Sequence, residues 1–71
     1  MDLRNLRLID LRNKHELTQT ELGRLVGLSQ SMIAHIEGGT KEPRSKYKVK
    51  LAEYFGVTVE WLFYANYRKW A

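Results

Sequence analysis

TQTELGRLVGLSQSMIAHIE, residues 18–37, holds two helix starts with a stop between them. Thr18 and Glu21 stand three apart, the spacing of a capping box. The threonine hydroxyl can take the backbone N–H of Glu21, while the glutamate carboxylate reaches back to the N–H of Thr18. Leu22, Leu25 and Val26 then fall at i, i+3 and i+4 on one face of the first helix. Gly27 ends it, since a residue without Cβ enters the left-handed conformation at no steric cost. Ser29 is a second N-cap. The helix it opens turns Ile33 and Ile36 inward and leaves Gln30, Ser31, Ala34 and His35 outward. Gly23 lies where the two helices would cross, and its missing side chain permits a close approach of backbones.

Two short helices joined by a tight turn read as a helix-turn-helix. Outward from it, Leu17 precedes the Thr18 cap as a hydrophobic staple. Residues 2–13 form a Leu- and Arg-rich helix, with Asp2 favourable at its positive end. Leu8 and Leu11 are its core contacts, and Leu3, Leu6 and Ile9 widen the apolar face. On the other side, Gly38 and Gly39 stop the second helix of the motif, and a loop with the single proline, Pro43, leads to a helix from Ser45 to Phe55. Its inner face is Tyr47 or the stem of Lys48, then Leu51, Ala52 and Phe55. Gly56 closes it, and Val57-Thr58 leads into a fifth helix from Val59 to about Tyr64. The tail, 65–71, has no start or stop signal. The fold expected is all-α and compact, five helices around the helix-turn-helix, in one domain spanning 1–71 with its core at about 3–64.

Seventy-one residues permit only a small core, burying about 60–65% of the surface an unfolded chain exposes. The absence of cysteine rules out disulfides and thiolate metal sites, and fits a reducing cytoplasm. No apolar run nears the roughly 20 residues that cross a bilayer, and the N-terminus is not that of a signal peptide. The expectation is a soluble cytoplasmic protein with no membrane partner. The net charge of +4 is localised. Between Thr40 and Lys50, Lys41, Arg44, Lys46, Lys48 and Lys50 face one acid, Glu42, and the rest of the chain holds seven of each sign. Such a patch suits a polyanion, although a lysine-rich loop is also ordinary solvated surface.

Arg12 and Glu37 each end a helix among core residues. They either pair, tying the first helix to the third, or remain two separately solvated charges. Five of the eight aromatics (Trp61, Phe63, Tyr64, Tyr67 and Trp70) follow residue 60. Trp61 with Leu62 completes the core; Phe63, Tyr64, Tyr67 and Trp70 suggest a homodimer interface, or else a tail folded over the domain. Nothing converges for catalysis. His15-Glu16 and His35-Glu37, adjacent and two apart, do not place two metal ligands on one helix face. No glycine-rich phosphate loop follows a strand. The expectation is no enzyme, no metal, no cofactor and no small-molecule ligand.

The segments LTQTEL (17–22), GLSQS (27–31) and Ile33-x-x-Ile36-Glu37-x-Gly39, with Pro43, AEYFGV (52–57) and Trp61-Leu62, resemble the phage-repressor and Cro-type (Xre-like) helix-turn-helix regulators. The resemblance spans roughly residues 4–64. It implies a lambda-repressor-like five-helix domain that binds double-stranded DNA as a transcriptional regulator, a repressor acting as a homodimer on a palindromic operator. A protein-interaction module or an antitoxin-type regulator with a protein partner is the alternative on the same fold. The resemblance also implies an Arg12–Glu37 ion pair like that of some members. With the second helix of the motif in the major groove, Gln30, Ser31, Ala34 and His35 are the expected base readers, Gln30 by a bidentate contact to adenine. Thr18, Gln19, Ser29, Lys41, Arg44 and Lys46 are expected at phosphates, with Gln19 also bracing Gln30. Three positions depart from the family pattern: Gly23 is usually Ala, Gly38 commonly Asn or Arg, and His35 often a longer polar or basic residue. Gly at 23 is expected to cost the helix roughly 0.5–1 kcal/mol.

Overall fold

A capped start, a left-handed stop and a short link repeat along the chain, and this rhythm sets the architecture. The computed structural model describes residues 2–64. They form α1 (Leu6–Lys14), α2 (Gln19–Val26), α3 (Gln30–Gly38) and α4 (Ser45–Phe55), followed by a π-type helical turn, Glu60–Tyr64. The expected all-α, five-helix organisation is observed, and no strand occurs among the described residues.

Side chains cap three of the helices. Thr18 and Glu21 form the reciprocal capping box at α2, Oγ1 accepting from Glu21 N at 3.1 Å and Oε1 accepting from Thr18 N at 2.9 Å. Ser29 Oγ accepts from Met32 N at 3.1 Å at the start of α3. Asn5 caps α1, its Oδ1 accepting from Leu8 N at 3.1 Å. The α1 start is therefore a correction: the helix begins at Leu6, not at residue 2. Asp2 is engaged outside it, taking the backbone N–H of Arg4 at 3.0 Å and the Arg4 guanidinium at 3.1 and 2.9 Å. Asn5 outcompetes it as a cap because it is tied down elsewhere. Its N–H donates to Glu37 O at 2.8 Å and its Nδ2 to Leu62 O at 3.0 Å.

The stops are uniform. Leu17, Leu28, Thr40 and Val57 each return an N–H to the carbonyl five residues earlier, the Schellman closure that follows a left-handed residue. That residue is Gly27 (φ 83°), Gly39 (φ 77°) and Gly56 (φ 69°) after α2, α3 and α4, but Glu16 (φ 55°) after α1. Gly39 is additionally confined, because a Cβ there would sit 1.9 Å from Leu3 O.

Leu8, Leu22, Val26, Ile33, Ile36, Leu51, Ala52, Phe55 and Leu62 form the core, with Leu11, Leu17, Leu28, Met32 and Phe63 packed around it. Leu8, Leu22, Ile33 and Leu51 are wholly excluded from solvent. Truncating such a residue to Ala costs about 2–5 kcal/mol. Leu3, Leu6, Leu25 and Trp61, all expected inside, are exposed. Leu3 lies before the helix begins. Leu25 turns away because the inner edge of α2 is filled by Leu22 and Val26. Trp61 is held at the surface by Arg7, whose guanidinium lies 4.3 Å from the ring centroid and whose Nη1 donates to Trp61 O at 2.9 Å. On α4 the expected choice between Tyr47 and Lys48 resolves to Lys48 buried and Tyr47 half-buried.

Helices α2 and α3 make the most extensive contact, with α1 against α3 and α4 against α2 behind them. A Cβ on Gly23 would lie 2.3 Å from Leu28 O, so the glycine admits the turn carbonyl between the two helices. Its tight fit leaves α3 supported on its inner side and open on its outer one. No described helix is long and apolar enough to cross a membrane.

Candidate nucleic-acid interface

The outer face of α3 follows from its inner one. Ile33, Ile36 and Glu37 are buried, so a period of 3.6 turns Gln30, Ser31 and His35 to solvent and leaves Ala34 half-buried among them. Met32 sits at the margin, half-buried against the core.

Behind this face runs a continuous polar relay. Arg12 and Glu37 do pair, Nε–Oε2 at 2.5 Å and Nη2–Oε1 at 3.1 Å, with side chains only 14% and 5% exposed. Arg12 Nη1 also donates to Leu17 O at 2.8 Å, fixing the residue before the α2 cap. Gln19 Nε2 donates to Glu37 Oε1 at 3.0 Å, and Gln30 Nε2 donates to Gln19 Oε1 at 2.6 Å.

The direction of that relay has a chemical cause. An ionised carboxylate only accepts, so Gln19 must turn its NH₂ toward Glu37 and its carbonyl toward Gln30. Gln30 must then answer with its own NH₂. One N–H of Gln30 is thereby consumed, which leaves the exposed amide its carbonyl as acceptor and its second N–H as donor. Adenine presents the complementary pair in the major groove, N6–H₂ and N7. A buried carboxylate two side chains away thus sets what the surface amide displays.

The helix caps flank this amide. Thr18 and Ser29 use their hydroxyls to cap, leaving the remaining first-turn N–H groups of α2 and α3 for an anion. The backbone N–H and hydroxyl of Thr18 hold the Glu21 carboxyl below its ordinary value of 4.5.

The basic flank is smaller than its sequence suggests. Lys41, Arg44, Lys46 and Lys50 are exposed, Lys46 and Lys50 with their ammonium groups 5.0 and 5.8 Å from the Tyr47 ring centroid. Lys48 is not part of the free patch. It is buried, its Nζ bonded to Glu42 and to the Tyr64 hydroxyl, and lies 4.7 Å from the Tyr64 ring centroid. Burial works against its charge, but the bonds to Glu42 and Tyr64 outweigh it and raise its pKa above 10.5. Lys48 therefore anchors the 40–44 loop to α4 and the terminal turn.

Among the four aromatics expected at a dimer interface, Phe63 is half-buried against the core, and the Tyr64 hydroxyl accepts from Lys48 while its residue stays 40% exposed. Tyr67 and Trp70 lie outside the described residues. No group of three or more metal-ligating side chains occurs among the described residues.

Sequence reasoning missed three participants. Asn5 carries a visible signal, an N-cap residue directly before the periodic Leu6–Leu11 stretch, masked by the more obvious Asp2. Glu42 and Thr40 carried none; each acts on a side chain that only the loop geometry brings near. Thr40 Oγ1 is 2.8 Å from His35 Nδ1.

Comparison with known proteins agrees with this geometry. A family described as helix-turn-helix matches residues 8–62. An uncharacterized HTH-type transcriptional regulator of Methanocaldococcus jannaschii is 41% identical over 49 residues, 69% of this chain and 74% of that protein. No solved structure matches significantly.

Proposed function

This chain belongs to the helix-turn-helix family, in the Xre-like, lambda-repressor-type class, and from that premise we propose that it is a cytoplasmic repressor binding a palindromic operator as a homodimer. DNA binding and transcriptional regulation are the common ground of the family. The repressor role, the dimer and the individual contacts are the proposal.

The observation that carries it is the relay Arg12–Glu37–Gln19–Gln30, which orients an exposed amide at the start of an outward helix face. Inserted in the major groove, α3 reads with Gln30, Ser31, Ala34 and His35, and the Ala34 methyl suits a thymine methyl. Thr18, Gln19 and Ser29 present helix N-termini to phosphates, with Lys41, Arg44 and Lys46 adding charge beside them. If each subunit neutralises about four phosphates, log K against log salt falls with a slope of about −7 for the dimer. The exposed apolar surface of Trp61 and Tyr64 supports a self-association face near the C-terminal end.

Selection of bound sites from random duplexes tests the reading, with Gln30→Ala in parallel. Direct readout loses discrimination at one or two base pairs by about 1–3 kcal/mol. A uniform loss at every position makes Gln30 a positioning residue, and binding to no duplex at low salt rejects the proposal. Ultracentrifugation of Tyr64→Asp tests the dimer; unchanged association removes Tyr64 from the interface.

A further inference from the structure

His35 is exposed on the outer face of α3, and its ring nitrogen Nδ1 is engaged by a neighbouring hydroxyl. Gly39 reverses the chain after α3, and Thr40 N donates to His35 O at 3.0 Å, which fixes Thr40 beside the imidazole. The Thr40 hydroxyl then lies 2.8 Å from His35 Nδ1 and 3.3 Å from His35 O. A hydroxyl has one proton and can also accept. If that proton goes to His35 O, the ring must donate from Nδ1, and both contacts are hydrogen bonds. If it goes to Nδ1 instead, the contact with His35 O is left without a proton. The first arrangement gives a proton to both the 2.8 Å and the longer 3.3 Å contact, the second to the 2.8 Å contact alone, leaving His35 O only the N–H groups of Thr40 and Lys41 at 3.0 and 3.4 Å.

We propose that Thr40 is a positioning residue that holds neutral His35 as the Nδ1–H tautomer, presenting Nε2 as a bare acceptor on the recognition face. An acceptor there selects a base edge that donates, cytosine N4–H₂ or adenine N6–H₂, over guanine, whose O6 and N7 only accept. His35 is five residues beyond Gln30, so its preference falls on a different base pair from that read by Gln30. The choice of base rests on the DNA-binding reading above; the tautomer does not.

Nitrogen-15 NMR of the free 71-residue chain labelled at histidine, under mildly alkaline conditions, decides the tautomer. Wild type gives a protonated-type Nδ1 and an unprotonated-type Nε2 at His35. Thr40→Val moves the ring toward the Nε2–H form that an unconstrained imidazole prefers, and Thr40→Ser restores the wild-type pattern. The Thr40 backbone bond survives in both variants, and an unchanged amide spectrum confirms an intact fold. A wild-type ring in the Nε2–H form, or one indifferent to Thr40→Val, overturns the proposal. Site selection decides the consequence: Thr40→Val relaxes preference about threefold to tenfold at one base pair, the worth of a single hydrogen bond, and leaves the Gln30 position unaltered. A guanine preference at the His35 position in wild type overturns the acceptor assignment. Failure to bind any duplex rejects the function and leaves the tautomer result standing.

Discussion

Replacing Glu37 by Gln separates the two roles of the buried ion pair. In the wild type, Arg12 Nε, Arg12 Nη2 and Gln19 Nε2 all donate to one carboxylate. An amide of the same shape offers one acceptor oxygen and turns an NH₂ toward the remaining donors. Arg12, 14% exposed, keeps its charge without a counter-charge. Removing one partner of such a pair costs about 3–5 kcal/mol. For 71 residues the whole folding stability is on the order of 4–11 kcal/mol, so Glu37→Gln consumes much of it. In a domain of this size each kcal/mol lowers Tm by roughly 4–8 °C, which puts the expected fall at about 12–40 °C.

The consequence for recognition is separate and carries a sign. If the new amide points its NH₂ at Gln19, Gln19 turns its carbonyl inward, and Gln30 must then present its own carbonyl to Gln19. The outward display of Gln30 changes from acceptor plus donor to donors alone, and the proposed adenine preference moves toward guanine. A second variant, Arg12→Met with Glu37→Met, removes both charges; such apolar replacements are often neutral in stability. It leaves Gln19 unanchored, so adenine discrimination weakens without reversing, by up to the 1–3 kcal/mol of a bidentate contact. Denaturant unfolding at low temperature and base-resolved binding read the two effects independently. A folded Glu37→Gln protein with wild-type stability and unchanged adenine preference would falsify the relay.

Thr18→Ala removes half of the capping box and is expected to cost about 1 kcal/mol in denaturant unfolding. Because the Glu21 carboxyl sits below 4.5 when folded, its contribution is complete above that pH and is lost as pH falls through the folded value; first-turn amides of α2 should therefore exchange faster in acid relative to those of α4. Glu16→Gly relieves a left-handed side chain after α1 and should raise stability by about 1 kcal/mol in the same assay. Gly23→Ala gains up to about 1 kcal/mol of helix propensity but drives a Cβ to 2.3 Å from Leu28 O, and overpacking of about 1–3 kcal/mol gives a net loss; a stabilised variant would show that the turn yields freely.

That last balance marks where the sequence was legible and where it was not. The capping box, the Ser29 cap, the Gly27 stop, the inward Ile33 and Ile36 and the bounds of α4 depend on residues at most a few positions apart, and all were readable. At Gly23 the close approach of two backbones was readable, but not the group that makes it: nothing local reveals that Leu28 O fills the space and outweighs the propensity penalty. Leu25 failed because periodicity marks an apolar face but not how wide a strip its neighbours cover, and Leu3 because the helix starts only at Leu6. Lys48 was readable as a stem that could face inward on α4, but its ammonium and Glu42 looked like parts of one solvated basic segment. Their true partners lie across a loop and in the terminal turn, including Tyr64.

The polar relay falls between these cases. Its inner residues, Arg12 and Glu37, are conspicuous in sequence because charges at core positions break the apolar pattern, and such breaks concentrate at functional sites. Its direction is not conspicuous, because an amide has no preferred sense until something acceptor-only is placed against it. The ion pair adds little net stability over a well-packed apolar replacement. Its distinctive contribution is asymmetry: Glu37 only accepts, Arg12 only donates, and two glutamines in series pass that asymmetry to the surface. A single hydroxyl does the same for His35. In both places the proposed specificity depends on which hydrogen-bonding sense the side chain is allowed to show.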